Sequence, residues 1–247
     1  MKCTSCGSEN VVFMKFNGKW QCTDCGAAFN AAQSSSASSV LNSHRNNSAA
    51  AGTAASGSST KSASAPSEVE RLTEEIGESY KLAMQMASNG EFDKLEAVMN
   101  KMILQSEKLI AIDADSLFSS NHYCNILSYV SRIRIVEGKY SDALQLLKRC
   151  SDVCSKFESD YADDYVYNSS LYQVCIGYFD LYKARNRLDA AKDYATLANE
   201  ACSRMLKASP SDELALGYSA EVLANIGNIE VLSGNVKQAV DFSIKSL

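Results

Sequence analysis

Four cysteines near the start of the chain have the residue type and the spacing of a metal site. Cys3 and Cys6 form one Cys-x-x-Cys pair, Cys22 and Cys25 form a second, and a glycine follows each pair. Such a turn directs two thiolates at one point, and the glycine accepts the positive φ that the turn requires. Fifteen residues separate the pairs, which fits tetrahedral zinc sites built from two such pairs. The pattern predicts one structural Zn²⁺ bound by these four thiolates.

The residues between the two pairs predict a β-hairpin that brings the pairs together. Asn17-Gly18 separates two strand-like runs, and Asn-Gly is a strong signal for a two-residue hairpin turn. With its two Cys-x-x-Cys-Gly motifs, the segment 1–30 resembles the zinc-ribbon family. Thirty residues bury too little apolar surface to fold alone, so we expect zinc binding to supply the folding free energy.

Two other interpretations of this segment stay open. Four thiolates also suit iron, as in rubredoxins, although those proteins usually carry proline in the second turn, where this chain has Thr23. Lys15, Lys19 and Trp20 are the candidate contacts to nucleic acid. Three residues do not make a basic patch, so we interpret Trp20 as packing over the cysteine turns. A catalytic zinc is disfavoured because four cysteine ligands leave no position for water.

Composition divides the rest of the chain into a linker and a body. Residues 31–66 are dominated by serine and alanine without a periodic apolar face, which predicts a disordered linker. Residues 67–247 carry 19 basic and 27 acidic side chains, a net charge of -8, which argues against nucleic-acid binding by the body. The sequence has no secretory h-region and no apolar run long enough to span a membrane. We therefore expect a cytoplasmic protein with reduced cysteines and no membrane contact.

The body repeats every 48 residues. Turn-like signatures begin at Gly90, Gly138, Asn186 and Gly234, and glycine or asparagine can adopt the left-handed conformation that ends a helix. A fixed period of this kind is typical of stacked helical repeats. Each repeat therefore predicts a helix hairpin, with helices over 67–88 and 91–112, 114–136 and 139–158, 161–185 and 188–208, and 211–232 and 236–247.

The last repeat has small or turn-forming residues at Gly227, Gly234, Val236 and Ala239. In these positions the body resembles a tetratricopeptide repeat (TPR) array. The period exceeds the usual 34 residues by 14, about four helical turns, so longer helices would preserve the buried face. The resemblance implies a mainly α solenoid of about four helix hairpins. Its last helix is short and lacks an evident polar cap, which predicts either a truncated array or a dimer at that end.

The remaining reactive side chains predict core packing rather than catalysis. Cys150 and Cys154 share one helix face, yet without an accompanying histidine or second cysteine pair they are interpreted as small buried hydrophobes. The same interpretation applies to Cys124, Cys175 and Cys202, and to His122 as a structural histidine. The aromatic residues between 157 and 182 are interpreted as core filling because Asp160, Asp163 and Asp164 interleave them. No nucleotide-binding loop or nucleophile motif is present, so we expect no enzyme activity.

These patterns predict a protein-interaction scaffold with a TPR-like body that binds a protein or peptide, and a tethered zinc ribbon as a second binding module. The alternative is a nucleic-acid-associated regulator whose ribbon contacts DNA or RNA. The TPR resemblance implies a concave groove lined by the first helix of each hairpin, at positions seven residues apart. In repeats two to four, the groove positions are Asn125 and Arg132, Gln173 and Asp180, and Glu221 and Asn228.

Overall fold

The N-terminal segment forms a small antiparallel sheet. The computed structural model describes residues 2, 3, 7, 11–14, 19–22, 28–29 and 67–245 of the chain. Strands β1 (Val11–Met14), β2 (Lys19–Cys22) and β3 (Ala28–Phe29) pair in the order β1-β2-β3. In the antiparallel β1–β2 pair, Val11 lies opposite Cys22.

Several predictions lie outside the described residues. These are the positions of Cys6 and Cys25, the Asn-Gly turn, and the linker over 31–66. The zinc ribbon as a metal-bound unit and the disorder of the linker therefore stay predictions.

Residues 68–245 contain eight helices and no strand, which confirms the mainly α body. The first helices of the four hairpins, here called the A helices, are α1, α3, α5 and α7, and the second helices are the B helices. Each A helix contacts the B helix that follows it, and successive hairpins also contact one another, with α3 packed on α5. No helix in the described part of the chain combines the length and apolar character that crossing a bilayer requires. The helices are α1 (Glu68–Asn89), α2 (Phe92–Ile112), α3 (Leu117–Val136), α4 (Tyr140–Tyr161), α5 (Tyr165–Ala184), α6 (Leu188–Ala208), α7 (Glu213–Leu232) and α8 (Val236–Lys245).

The four predicted turns have a common geometry. Gly90, Gly138 and Gly234 have φ of 74°, 75° and 81°, and Asn186 has φ of 54°. The residue after each of them donates its N–H to a carbonyl five residues back, as Lys139 does to Arg134 at 2.8 Å. This bond satisfies a carbonyl that the end of the helix leaves free. The 48-residue register is therefore confirmed at every turn.

Three A helices begin later than predicted, and side-chain caps give the reason. Ser116, Asp164 and Asp212 precede α3, α5 and α7, and each accepts a hydrogen bond from a backbone N–H of the first turn. Such a cap fixes the start of the helix, because the capping residue itself is extended rather than helical and the helix begins directly after it. The predicted starts at 114, 161 and 211 were therefore too early. The predicted end of α4 at 158 was too early by three residues.

Small residues allow the two helices of a hairpin to approach closely. The equivalent B-helix positions Ala143, Ala191 and Ala239 are 0%, 0% and 3% exposed. A Cβ on Gly227 would lie 3.3 Å from the carbonyl oxygen of Ala239, so only glycine fits without a shift. The predicted core role of Cys124, Cys150, Cys154, Cys175 and Cys202 is confirmed, since all five are buried.

The tyrosine cluster is also mainly core. Tyr178 and Tyr182 stack on Tyr194 of α6 at ring-centroid distances of 4.6 and 5.6 Å. Tyr161, at the end of α4, differs from the prediction because it is 41% exposed.

Candidate functional site

One cavity of about 430 Å³ lies along the A helices. All four A helices contribute residues to it, and among these helices α3 and α5 pack closely on each other. The lining combines rings and aliphatic groups with a few polar groups, which is the usual composition of a ligand site. The lining residues are Ile76, Gly77, Tyr80, His122, Asn125, Ile126, Tyr129, Arg132, Gln173 and Tyr218.

Three of the six predicted groove residues line this cavity. Asn125 and Arg132 reach it from α3 and Gln173 reaches it from α5. Asn125 and Arg132 are seven residues apart on one helix, so two helical turns separate them on one face. The structure therefore brings these three predicted residues together in one cavity.

Two more predicted residues join the cavity through Arg132. Asp180 of α5 accepts a hydrogen bond from Nε of Arg132 at 2.8 Å, and a Glu221 oxygen of α7 lies 3.9 Å from the same guanidinium. Burial raises the pKa of Asp180, while Arg132 opposes the shift. Asn228, the sixth residue, is exposed on α7 and makes no described contact with the others.

Hydrogen bonds between A helices hold the walls of the cavity in place. Gln173 donates from Nε2 to the Tyr218 hydroxyl at 3.1 Å, and the Tyr172 hydroxyl donates to Glu221 at 3.0 Å. The Tyr172 and Tyr218 rings are stacked at 4.0 Å. Burial, with the nearby Glu221 carboxylate, raises the pKa of Tyr172, so this hydroxyl keeps its proton and remains a donor at neutral pH.

The aromatic part of the lining was missed from the sequence. Tyr80 of α1 and Tyr129 of α3 meet edge to face with ring centroids 4.8 Å apart. His122 packs against Phe118 at 4.4 Å, and burial lowers its pKa. The sequence did contain one signal of a cavity here. Gly77 in the first repeat is equivalent to Asn125 in the second and Gln173 in the third. Glycine has no side chain, so its presence at this repeat position leaves space beside the helix.

The cysteines of the body form a buried cluster outside this cavity. The Cys124 and Cys154 sulfurs lie 3.7 Å apart, and the five body cysteines are free thiols. Hydrogen bonds with Cys150 and Cys154, together with burial, raise the pKa of Cys124. Neutral thiols of this kind are poor nucleophiles and poor metal ligands.

The predicted zinc ligands are only partly described. Cys3 is buried, and the N–H of Gly7 donates to the Cys3 carbonyl at 2.9 Å with Gly7 at φ of 75°. Cys22 is the last residue of β2. Among the described residues, no group of three or more potential ligand side chains converges on one point. That finding does not include Cys6 and Cys25.

Comparisons of the chain with protein-family models, with curated proteins and with solved structures find no significant match. The function must therefore be inferred from the chemistry of the cavity itself.

Proposed function

We propose that the chain is a non-catalytic interaction scaffold whose helical body binds a segment of a partner protein along the A helices. The observation that carries the proposal is the cavity itself, which all four A helices line and which presents Asn125, Arg132 and Gln173. Side chains at i and i+7 on stacked helices can hydrogen-bond an extended peptide at regular intervals. A cavity of about 430 Å³ is large enough for one long side chain and its flanking backbone.

Filling the cavity tests this proposal. An added Cβ on Gly77 meets nothing within 4 Å, so Gly77→Leu fills cavity space without a backbone clash. Leucine also favours a helix more than glycine does, so the variant should fold. Gln85→Leu, on an exposed site of the same helix, adds the same apolar side chain outside the cavity.

Partner capture from the source cell should be lost with Gly77→Leu and kept with Gln85→Leu. The triple variant in which Arg132, Gln173 and Asp180 are changed to alanine should also capture less partner while keeping its helical content. Unchanged capture by both cavity variants would contradict the proposed site.

We also propose that Cys3, Cys6, Cys22 and Cys25 bind one structural zinc ion, and that the ribbon is a second binding module. The support is the left-handed Gly7 after the first pair and the hairpin that ends at Cys22. Metal analysis should find about one zinc per chain and much less after Cys22→Ser. Stoichiometric iron would replace this assignment with the rubredoxin-like alternative.

The ribbon's partner is tested separately from the body's. Retention of the full chain on DNA or RNA at low salt, lost when residues 1–30 are deleted, would favour the nucleic-acid alternative for the ribbon. A cytoplasmic location stays a prediction of the sequence.

A further inference from the structure

We propose that the cavity recognises a cationic side chain, arginine or lysine, of the bound peptide. This inference rests on the proposed peptide-binding function and specifies the chemistry of its ligand. Three properties of the cavity point to it: the aromatic rings in its wall, a buried acceptor without a partner, and the carboxylates that pair with Arg132, the cationic side chain among its described lining residues.

Three helices contribute aromatic rings to the lining of the cavity. Tyr80, Tyr129 and Tyr218 line it from α1, α3 and α7. The faces of such rings carry a partial negative charge that attracts ammonium and guanidinium groups. Tyr218 is held by its stack with Tyr172 and by the hydrogen bond from Gln173, so its ring is positioned before a ligand arrives. A side chain that is already fixed in the free protein lowers the entropic cost of binding.

One buried polar atom of the lining lacks a hydrogen-bond partner, and this atom is an acceptor. Oδ1 of Asn125 is buried and has no hydrogen-bond partner, whereas its Nδ2 donates to Asn121 at 2.6 Å. Among the amide and charged side chains of the lining, Gln173 donates to Tyr218 and Arg132 donates to Asp180. A buried acceptor without a donor is costly, so a movement of the Asn125 side chain that brings Oδ1 to the cavity surface favours a ligand with an N–H over one with a carboxylate.

The charge around the cavity also favours a cation. Among the described lining residues, Arg132 alone carries a full positive charge, and Asp180 and Glu221 both pair with it. His122 is neutral at pH 7 because burial lowers its pKa. The body as a whole, residues 67–247, has a net charge of -8. This field attracts basic segments and slows the approach of acidic ones.

Labelled nonapeptides that differ only at their central residue test the inference by fluorescence anisotropy. The full-length protein is titrated with peptides of glycine and serine that carry arginine, lysine, citrulline or glutamate at the centre. Citrulline is the matched control because it keeps the shape and the N–H groups of arginine without its charge. We expect arginine and lysine peptides to bind at least fivefold more tightly than the citrulline peptide, and the glutamate peptide to bind most weakly.

Three variants locate the site of that preference. Gly77→Leu should abolish binding of the arginine peptide, and Tyr129→Leu should weaken it at least threefold. Gln85→Leu should leave it unchanged. Equal binding of arginine and citrulline peptides, or no binding of any peptide, would overturn the cation inference.

Failure of this inference is distinguishable from failure of the proposed function. If the captured partner needs an open cavity but its bound segment is neutral or acidic, the scaffold function stands and the cation inference falls. If Gly77→Leu leaves both peptide binding and partner capture unchanged, the groove itself is wrong.

Discussion

The two ends of the helical body differ at positions that are equivalent in the repeat. In the interior, Ile126, Val174 and Val222 occupy one register position and are at most 4% exposed. At the first helix the same position is Glu78, which is exposed. Next to it on α1, Arg71 pairs with Glu68 at 2.5 Å. The outer face of α1 is therefore mainly polar where the inner A helices are apolar, with Leu82, which is 44% exposed, as an apolar exception.

The last helix has the opposite character. Val236, Val240 and Ile244 form an i, i+4, i+8 stripe on α8 and are 64%, 52% and 64% exposed. In two earlier hairpins, the residue equivalent to Val240 forms an ion pair with the next A helix. Lys192 of α6 pairs with Glu230 of α7, and Glu96 of α2 pairs with Arg134 of α3 at 2.5 Å.

The first and the last described helix therefore differ in the character of their outward faces. Terminal units of repeat arrays usually have a polar outer face; that of α1 is mainly polar, whereas α8 presents an apolar stripe. The predicted lack of a polar cap on α8 is confirmed. An exposed apolar stripe of this size marks a surface suited to contact with another element.

The largest effect should come from exchanging the two kinds of residue at the equivalent position. Val222→Glu places a carboxylate at a site that is 0% exposed, which should lower the free energy of unfolding by at least about 3 kcal/mol. The reciprocal change Glu78→Val lies on the polar end and should cost less than about 0.5 kcal/mol. Urea denaturation followed by circular dichroism measures both. Similar costs at the two sites would contradict the difference between the end and the interior.

A smaller effect should follow from charge reversal between hairpins. Glu230 is 1% exposed and pairs with Lys192. Glu230→Lys brings two ammonium groups together there and should cost roughly 2–3 kcal/mol. Adding Lys192→Glu restores the pair with reversed polarity, so the double variant should recover more than half of the lost stability in the same denaturation assay. A double variant as unstable as the single one would show that the loss comes from packing rather than charge.

The equivalent pairs explain which parts of the fold the sequence predicts. The position of a turn depends on the backbone freedom of one residue, such as Gly138 or Asn186. It can therefore be predicted from a short stretch of sequence. The pair Glu96–Arg134 has reversed polarity in Lys192–Glu230. The two repeats therefore have no residue type in common at these positions, although both contain an ion pair between residues that are 38 apart in the chain.

The residues of the candidate site were only partly predictable from the sequence. Asn125, Arg132 and Gln173 follow from helical periodicity, because residues seven apart share a face. The contact between Tyr80 and Tyr129 joins α1 to α3 and depends on how two hairpins stack, which no local rule sets. The pairing of Arg132 with Asp180 likewise requires the distance between adjacent A helices.

A pH dependence should distinguish the charge of Glu230 from its shape. Hydrogen bonds from Lys192 and Asn235 lower the pKa of Glu230 below its ordinary value of 4.5. The unfolded chain therefore binds this proton more readily, so the pair stabilises the fold above about pH 4.5 and loses its effect as the pH falls through the folded-state pKa. The difference in unfolding free energy between the wild type and Glu230→Gln should narrow from pH 6 to pH 3. In a Lys192→Met background the difference should change less with pH, and an equal change would assign the effect to another group.

The smallest effect should appear at the open end of the array. Val240→Lys replaces an apolar side chain that is 52% exposed, so it should change the free energy of unfolding by less than about 0.5 kcal/mol. The matched interior variant is Leu144→Lys, because Leu144 holds the equivalent position in α4 and packs against the core. It should cost at least about 1 kcal/mol more than Val240→Lys, since the lysine loses apolar contacts there and its ammonium must reach solvent. Denaturation at two protein concentrations tenfold apart completes the comparison. If Val240→Lys is as costly as Leu144→Lys and the wild-type midpoint rises with concentration, then α8 is covered by a second copy in solution and the end is not open.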